Sequence, residues 1–151
     1  MARIAPFWQP HAGQREFLTQ QAPTKVLACG RRWGKTDACA VEILAALHES
    51  RPTQHLILAP TQDQANLLFE RVVGWLERLH IRHEAKRTPH PRVHVGDHIV
   101  RARSGHVGRS LRGQEATHLI VDEAAYVPEA LITEIALPML ATTNGRCTLI
   151  S

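Results

Sequence analysis

Long apolar runs are missing from this 151-residue chain. None approaches the roughly 18 consecutive apolar residues that a membrane-spanning helix needs. The first ten residues, MARIAPFWQP, contain no apolar core of the secretory kind, so no leader peptide is expected. Cysteine is scarce: Cys29, Cys39 and Cys147 form no C-x-x-C pair and their number is odd. That excludes a disulfide scaffold and suits buried thiols in a reducing, cytosolic setting. Aromatic residues make up only 5% of the chain. Of the three tryptophans that could stack on bases, Trp75 stands beside Leu76 in a helical pattern and reads as core. No repeat or low-complexity tract is present.

What remains is the composition of one globular domain. The apolar share is 44%, and a chain of this length hides roughly 68–70% of its unfolded surface on folding. Net charge is +4 but unevenly placed. Between Arg82 and Arg112 stand eight basic residues (Arg82, Lys86, Arg87, Arg92, Arg101, Arg103, Arg109 and Arg112) against two acids, Glu84 and Asp97. That local excess of six is larger than the charge of the whole chain, so the rest is slightly acidic. Such a segment suits a polyanion, nucleic acid or nucleotide phosphate; the alternative is a solvated basic face.

Periodicity predicts strands alternating with helices, hence an α/β fold with a mainly parallel sheet and helices on both faces. The expected order is a short helix over Gly13–Gln21, a strand over Lys25–Cys29, a helix over Lys35–Ser50 stopped by Pro52, and a strand over His55–Ala59. An amphipathic helix follows over Gln62–His80. The stretch VHVGDHIVRA reads as a β-hairpin around Gly96-Asp97, and Ser104–Gly113 as a loop. A strand over His118–Glu123, a helix over Pro128–Leu140 and a last strand over Cys147–Ser151 complete the pattern. A strand at the chain end is an unusual domain boundary, so the sequence reads as the front part of a longer protein.

Two motifs carry chemistry. The first is CGRRWGKT, Cys29 to Thr36, between an apolar strand and a helix. The phosphate-loop pattern is G-x-x-x-x-G-K-[ST]; here its first glycine is replaced by Cys29, and Gly30 follows one place later. Backbone N–H groups at a helix N-terminus favour an anion. Gly30, Arg31, Arg32, Trp33, Gly34, Lys35 and Thr36 are therefore candidate nucleotide-binding residues. Lys35 supplies charge to the β- and γ-phosphates, and Thr36 a hydroxyl for Mg²⁺. The second motif is LIVDEAAYVP, Leu119 to Pro128, an apolar strand ending in two carboxylates. At the carboxyl edge of an α/β sheet, Asp122 is placed to hold Mg²⁺ with Thr36, and Glu123 to orient or deprotonate the attacking water. The spacing His90, His94, His98 resembles that of helical metal ligands, but Pro89 and Pro91 exclude a helix there.

With HAGQREFL, CGRRWGKT, LILAPTQDQA, SLRGQEATHLIVDEAAYVP and the terminal TLIS in place, the chain resembles the N-terminal ATPase domain of a phage terminase large subunit. The likeness runs from Pro10 to Ser151. It implies a P-loop NTPase fold of the ASCE, RecA-like kind with a small β-hairpin insertion, using ATP and Mg²⁺. It further implies that Gln14 reads adenine, unless it is an ordinary helix-surface glutamine, and that Arg31 contacts the γ-phosphate. Arg112 would reach a neighbouring subunit's site, or else contact DNA or solvent. For the parent protein the resemblance implies a homo-oligomeric ring that drives double-stranded DNA into a procapsid. Its partners would be a portal and a small terminase subunit, in the host bacterium's cytoplasm. The lid and nuclease domain of that family have no counterpart in these residues. Two other readings stay open: a superfamily 2 helicase-like ATPase, since DEAA and APTQDQA resemble helicase motifs too, and a fragment that binds nucleotide without turnover.

Overall fold

The computed structural model describes residues 7–107 and 111–151. Its centre is a seven-stranded sheet in the order β1-β7-β6-β2-β5-β4-β3. The strands are β1 (Thr24–Leu27), β2 (Gln54–Ala59), β3 (Glu84–Lys86), β4 (Arg92–Val95), β5 (His98–Ser104), β6 (His118–Val121) and β7 (Arg146–Ile150). The run β1-β7-β6-β2-β5 is parallel; β4 and β3 close the far edge antiparallel.

Alternation along β2 divides the core. Ile57 and Ala59 face one way, under α1 (Ala12–Thr19), α2 (Lys35–Ala46) and α3 (Gln62–Arg78). Leu56 and Leu58 face the other way, under the segment that contains Leu131, Ala136 and Met139. Helices therefore cover both faces, as the alternating pattern requires. Helix α3 begins at Thr61, whose side chain accepts from the Gln64 N–H while Gln64 reaches back, a capping box. Leu68, Val72 and Leu76 on its inner face are fully buried, worth about 1.5–3 kcal/mol each. Trp75 is 5% exposed and belongs to the same core.

Several boundaries differ from the expectation. Helix α2 stops at Ala46, and the chain to Glu49 tightens into i→i+3 bonds. The helix expected over Pro128–Leu140 is broken into α4 (Glu129–Leu131), a π-helical stretch over Ile132–Ala136 and α5 (Pro138–Ala141). Pro138 lacks an N–H and its ring would meet the carbonyl of the preceding turn. The Leu137 N–H instead bonds five residues back, to Ile132. The expected hairpin is present as β4 and β5, antiparallel around Gly96-Asp97, and it is part of the main sheet. Its second strand, β5, pairs with β2 from Ile99 to Ser104 and extends the main sheet, and β3 adds a third edge strand not anticipated. Ser104 thus belongs to β5, Gly105–Val107 form a 3₁₀ turn, and residues 108–110 of the expected loop lie outside the described residues.

At the amino ends of the strands, Lys25 on β1 is 7% exposed and pairs with Glu42 of α2 at 2.8 Å. Its ammonium also donates to the Phe17 carbonyl at 3.0 Å, and Glu42 accepts from the Thr148 hydroxyl at 3.1 Å. Nearby, the rings of His55 and His118, register partners on β2 and β6, stack at 4.4 Å. His55 is fully buried, and burial, then His118 and His98, hold its pKa well below the ordinary value.

Two outcomes follow. Glu42→Ala, which strands the Lys25 ammonium in the interior, is expected to lower unfolding free energy by about 3–5 kcal/mol. Glu70→Ala, which breaks the solvent-exposed pair with Arg87, is expected to leave stability nearly unchanged; urea titration of both variants measures the contrast. Because His55 is harder to protonate folded than unfolded, stability is complete above the unfolded histidine value of about 6.5 and falls as pH drops below it, by up to about 1.4 kcal/mol per pH unit. Urea midpoints taken from pH 8 down to pH 5 check the sign, and replacing His55 by a non-titrating residue flattens the profile.

Candidate active site

The two motif strands, β1 and β6, are not neighbours: β7 lies between them. All three run the same way, so the loop after β1 and the turn after β6 emerge at one edge of the sheet. The Ser151 N–H donates to the Leu27 carbonyl and the Cys29 N–H to the Ser151 carbonyl, which fixes the loop's root against the end of β7.

The loop needs unusual backbone at two positions. Gly34 has φ +85° and Arg32 φ 66°, both left-handed. Neither Cys29 nor Gly30 does, and a Cβ added to Gly30 would meet nothing within 4 Å. The missing first glycine therefore costs this loop no conformation it uses. At Gly34 a Cβ would come 2.5 Å from the Gln14 Nε2, so glycine is required there twice over.

Helix α2 starts at Lys35 with no side-chain cap, unlike α3. Its first N–H groups are free of intrahelical partners and its N-terminus carries partial positive charge. Lys35 folds back over the loop and donates to the Cys29 carbonyl at 3.3 Å. Thr36 is half-buried at the helix start, whereas Arg31 and Arg32 project outward and are exposed. Trp33 packs against the core cluster and meets the His11 ring edge-on at 4.8 Å.

Across β7, the Asp122 N–H continues the ladder to Leu58, and its Oδ1 accepts from the Glu123 N–H at 2.9 Å. Burial raises the Asp122 pKa; the Glu123 N–H acts against this, the Glu123 carboxylate adds to it, and the Lys35 ammonium lowers it. Lys35 and Asp122 thus sit within electrostatic reach of one another. Glu123 is half-buried at φ 51°, a left-handed residue that turns the chain out of the strand. The structure therefore gathers Gly30, Gly34, Lys35, Thr36, Asp122 and Glu123 at one edge.

Two further expected residues lie outside this group. Arg112 is exposed and lines a surface depression with Glu134, Pro138 and Thr142, away from the phosphate loop's own residues. Gln14 is buried at 4% exposure with its amide turned to the loop: Nε2 donates to the Trp33 and Gly34 carbonyls and Oε1 accepts from the His11 N–H. Gln14 is thus not the helix-surface residue of the simpler reading. His11 was not singled out by sequence; the signal was its place three residues before Gln14, where the two form a capping box.

The basic segment is organised by the sheet. Lys86, Arg92 and Arg101 are cross-strand neighbours on β3, β4 and β5, and Arg103 stands on the same face as Arg101. Arg101 bonds neutral acceptors, including the Gln114 side chain at 2.6 Å and the Glu115 carbonyl at 2.9 Å. Among the described residues, no carboxylate pairs with Arg92, Arg101 or Arg103. Burial, then Arg101 and Arg92, lower the Arg103 pKa. Arg87 is different: it holds Glu70 in a two-point contact at 2.7 and 3.0 Å. His94 projects from the sheet face that carries Arg92, and His98 from the opposite face, where its Nδ1 accepts from the Thr53 N–H.

Comparison with known proteins supplies context. The family model for the helicase domain of the RNA cytidine acetyltransferase NAT10/TcmA matches residues 26–145. The terminase large subunit of Thermus virus P23-45 is 31% identical over 163 aligned residues, which cover 95% of this chain and 34% of that protein. The chain thus spans about a third of that relative's length. The large terminase ATPase domain of Thermus phage P74-26 superposes with a TM-score of 0.84 at 30% identity, covering 99% of this chain and 66% of that one. The large terminase of a thermophilic bacteriophage, solved in complex with ATP-gamma-S, has a TM-score of 0.69 at 14% identity over 94% of this chain and 38% of that one, a likeness of fold alone.

The loop's two glycines differ in what the backbone asks of them. Gly34→Ala is expected to destabilise by about 1–3 kcal/mol, since it forces a left-handed alanine and displaces Gln14. Gly30→Ala is expected to be neutral or to stabilise by up to about 1 kcal/mol. Denaturant midpoints of the two variants decide it.

Proposed function

The chain belongs to the family described by the NAT10/TcmA helicase-domain model and stands, among P-loop ATPases, with the phage large-terminase ATPase domains; from that premise we propose that it binds and hydrolyses ATP to drive double-stranded DNA packaging. The carrying observation is the meeting of the phosphate loop and the Asp122-Glu123 pair at one sheet edge. On this reading Lys35 turns from the Cys29 carbonyl to the β- and γ-phosphates, which compete for its ammonium. The loop from Gly30 to Gly34 wraps the phosphates, Trp33 packs beside the nucleotide, and Arg31, exposed in the loop, contacts the γ-phosphate, with Arg32 at its flank.

The donors present suit Mg²⁺: hard oxygens from Thr36 and Asp122, the latter a carboxylate whose burial a cation would offset. Bound there, the ion would neutralise charge on the β- and γ-phosphates. Glu123 has no side-chain hydrogen bond among the described residues and stands next to Asp122. Its carboxylate takes the proton of the attacking water, which leaves the nucleophile negative and in line. Arg112, remote from the loop, serves a neighbouring subunit of a homo-oligomeric ring by stabilising charge on the transferred phosphoryl group.

The parent protein is the packaging motor, with this chain as the front part of its ATPase domain. A portal and a small terminase subunit are its partners, in the host bacterium's cytoplasm. The face of Arg92, Arg101 and Arg103, with no carboxylate partner among the described residues, suits the DNA phosphates. The match to a helicase-domain model favours a second reading, ATP-driven strand separation; unwinding of a duplex by the parent protein would support it over packaging.

Calorimetric titration with Mg·ATP and a phosphate-release assay test the first reading. Lys35→Ala is expected to weaken binding more than about tenfold. Glu123→Gln is expected to keep binding and lower turnover by about 10²–10⁴-fold. Binding by the native chain with no turnover would instead support a nucleotide-binding fragment. For DNA, Arg92→Ala is expected to lower the salt slope of duplex binding by about one, while Arg87→Ala, whose guanidinium already holds Glu70, leaves it unchanged. Filter binding across a salt series reads both.

A further inference from the structure

We propose that His11 and Gln14, at the first turn of α1, are positioning residues for the phosphate loop, so that Gln14 acts on the triphosphate end of the nucleotide and not on its base; this rests on the nucleotide site proposed above. The amide of Gln14 makes three of its four possible hydrogen bonds. Its two N–H groups donate to the Trp33 carbonyl at 3.1 Å and the Gly34 carbonyl at 3.3 Å, and its oxygen accepts from the His11 N–H at 3.1 Å. The opposite amide orientation would set its oxygen against two carbonyl oxygens, so the partners fix the assignment.

His11 acts on the same peptide. Its Nδ1 accepts from the Gln14 N–H at 3.4 Å and its Nε2 donates to the Trp33 carbonyl at 3.1 Å. Only a neutral imidazole with its proton on Nε2 satisfies both. The Trp33 oxygen thereby takes two donors, one on each lone pair. The Gly34 oxygen also takes two, from Gln14 and from the Ala38 N–H that opens α2. Two glycines make room: a Cβ on Gly13 would press at 3.3 Å on both His11 and Trp33, and one on Gly34 would strike Gln14.

Peptide geometry gives this clamp its consequence. Among the described residues only Thr88-Pro89 is cis, so the Trp33–Gly34 and Gly34–Lys35 peptides are trans. In a trans peptide the C=O and the following N–H point to opposite sides. Holding the Trp33 and Gly34 oxygens toward α1 therefore aims the N–H groups of Gly34 and Lys35 away from it, into the concave side of the loop. Those N–H groups are donors that an anion at this helix start would use. A paired contact to adenine needs an N–H donor as well as the oxygen, so it would require Gln14 to release one of its loop carbonyls.

The test is calorimetric binding of Mg·ATP, Mg·GTP and Mg-tripolyphosphate to the full chain and to Gln14→Ala, His11→Ala and His11→Asn, with urea titration confirming that each is folded. Gln14→Ala and His11→Ala are expected to weaken all three ligands by a common factor of about five to ten, as loss of one or two hydrogen bonds implies. His11→Asn keeps an N-cap acceptor but cannot reach Trp33, and is expected to behave like His11→Ala. Weakening of ATP alone by Gln14→Ala would overturn the proposal in favour of base reading. Unchanged affinities in both alanine variants, or full rescue by His11→Asn, would reduce these residues to a helix cap. If the native chain binds none of the ligands, or Lys35→Ala binds them equally well, the nucleotide site itself fails, and this inference fails with it.

Discussion

One buried ion pair holds together the strand that leads into the phosphate loop and the helix that leaves it. Lys25 sits on β1 two residues before its end, and Glu42 two turns into α2. The loop between them is anchored at its distal supports, not at its tip. Glu42 also takes the Thr148 hydroxyl and Lys25 the Phe17 carbonyl, so β7 and α1 join the same knot. An ion pair taken out of water repays its desolvation only with such extra hydrogen bonds. Its benefit here is geometric: β1, α2, β7 and α1 are tied at the end of the sheet away from the phosphate loop, which leaves the other end open.

The loop itself shows how much a motif's letters can vary while its physics stays fixed. What the backbone requires is a left-handed residue before the lysine, space beside it, and carbonyls with somewhere to go. Gly34 and α1 provide all three. The position of Cys29 makes none of these demands, which is why a thiol can stand there. Its pKa is raised, chiefly by burial and against the pull of Lys35, which keeps the thiol neutral.

The residues with the strongest positional signal were legible in the sequence. Lys35 and Thr36 were placed at a helix start by the phosphate-loop pattern, Asp122 and Glu123 at a strand end by the apolar run before them, and the structure puts them at one edge. The alternation of strands and helices was legible for the same reason. What could not be read was non-local. No local pattern says that β7 slots between β1 and β6, nor that β5 joins the main sheet instead of standing apart. The cost of Pro138 inside an apolar helical pattern was legible in principle, but its π-helical remedy depends on packing over Leu56 and Leu58. Gln14 is the instructive case: its identity suggested a role, while its hydrogen-bond partners, nineteen and twenty residues away, were a matter of tertiary structure.

The place of β7 also has a kinetic side. Both chemical motifs are complete by Glu123, yet the strand that seats them side by side, Arg146–Ile150, is synthesised after them. Until it enters, β1 has no partner among the described strands, because its only ladder there is with β7. A chain emerging from the ribosome therefore carries the letters of the site well before it can assemble it. The closing event joins residues more than a hundred positions apart, such as Lys25 and Thr148, the kind of distant pairing that slows folding. During that interval β6 offers an unpaired apolar edge. Early in its life the molecule is thus a half-sheet whose function waits on a strand still to come.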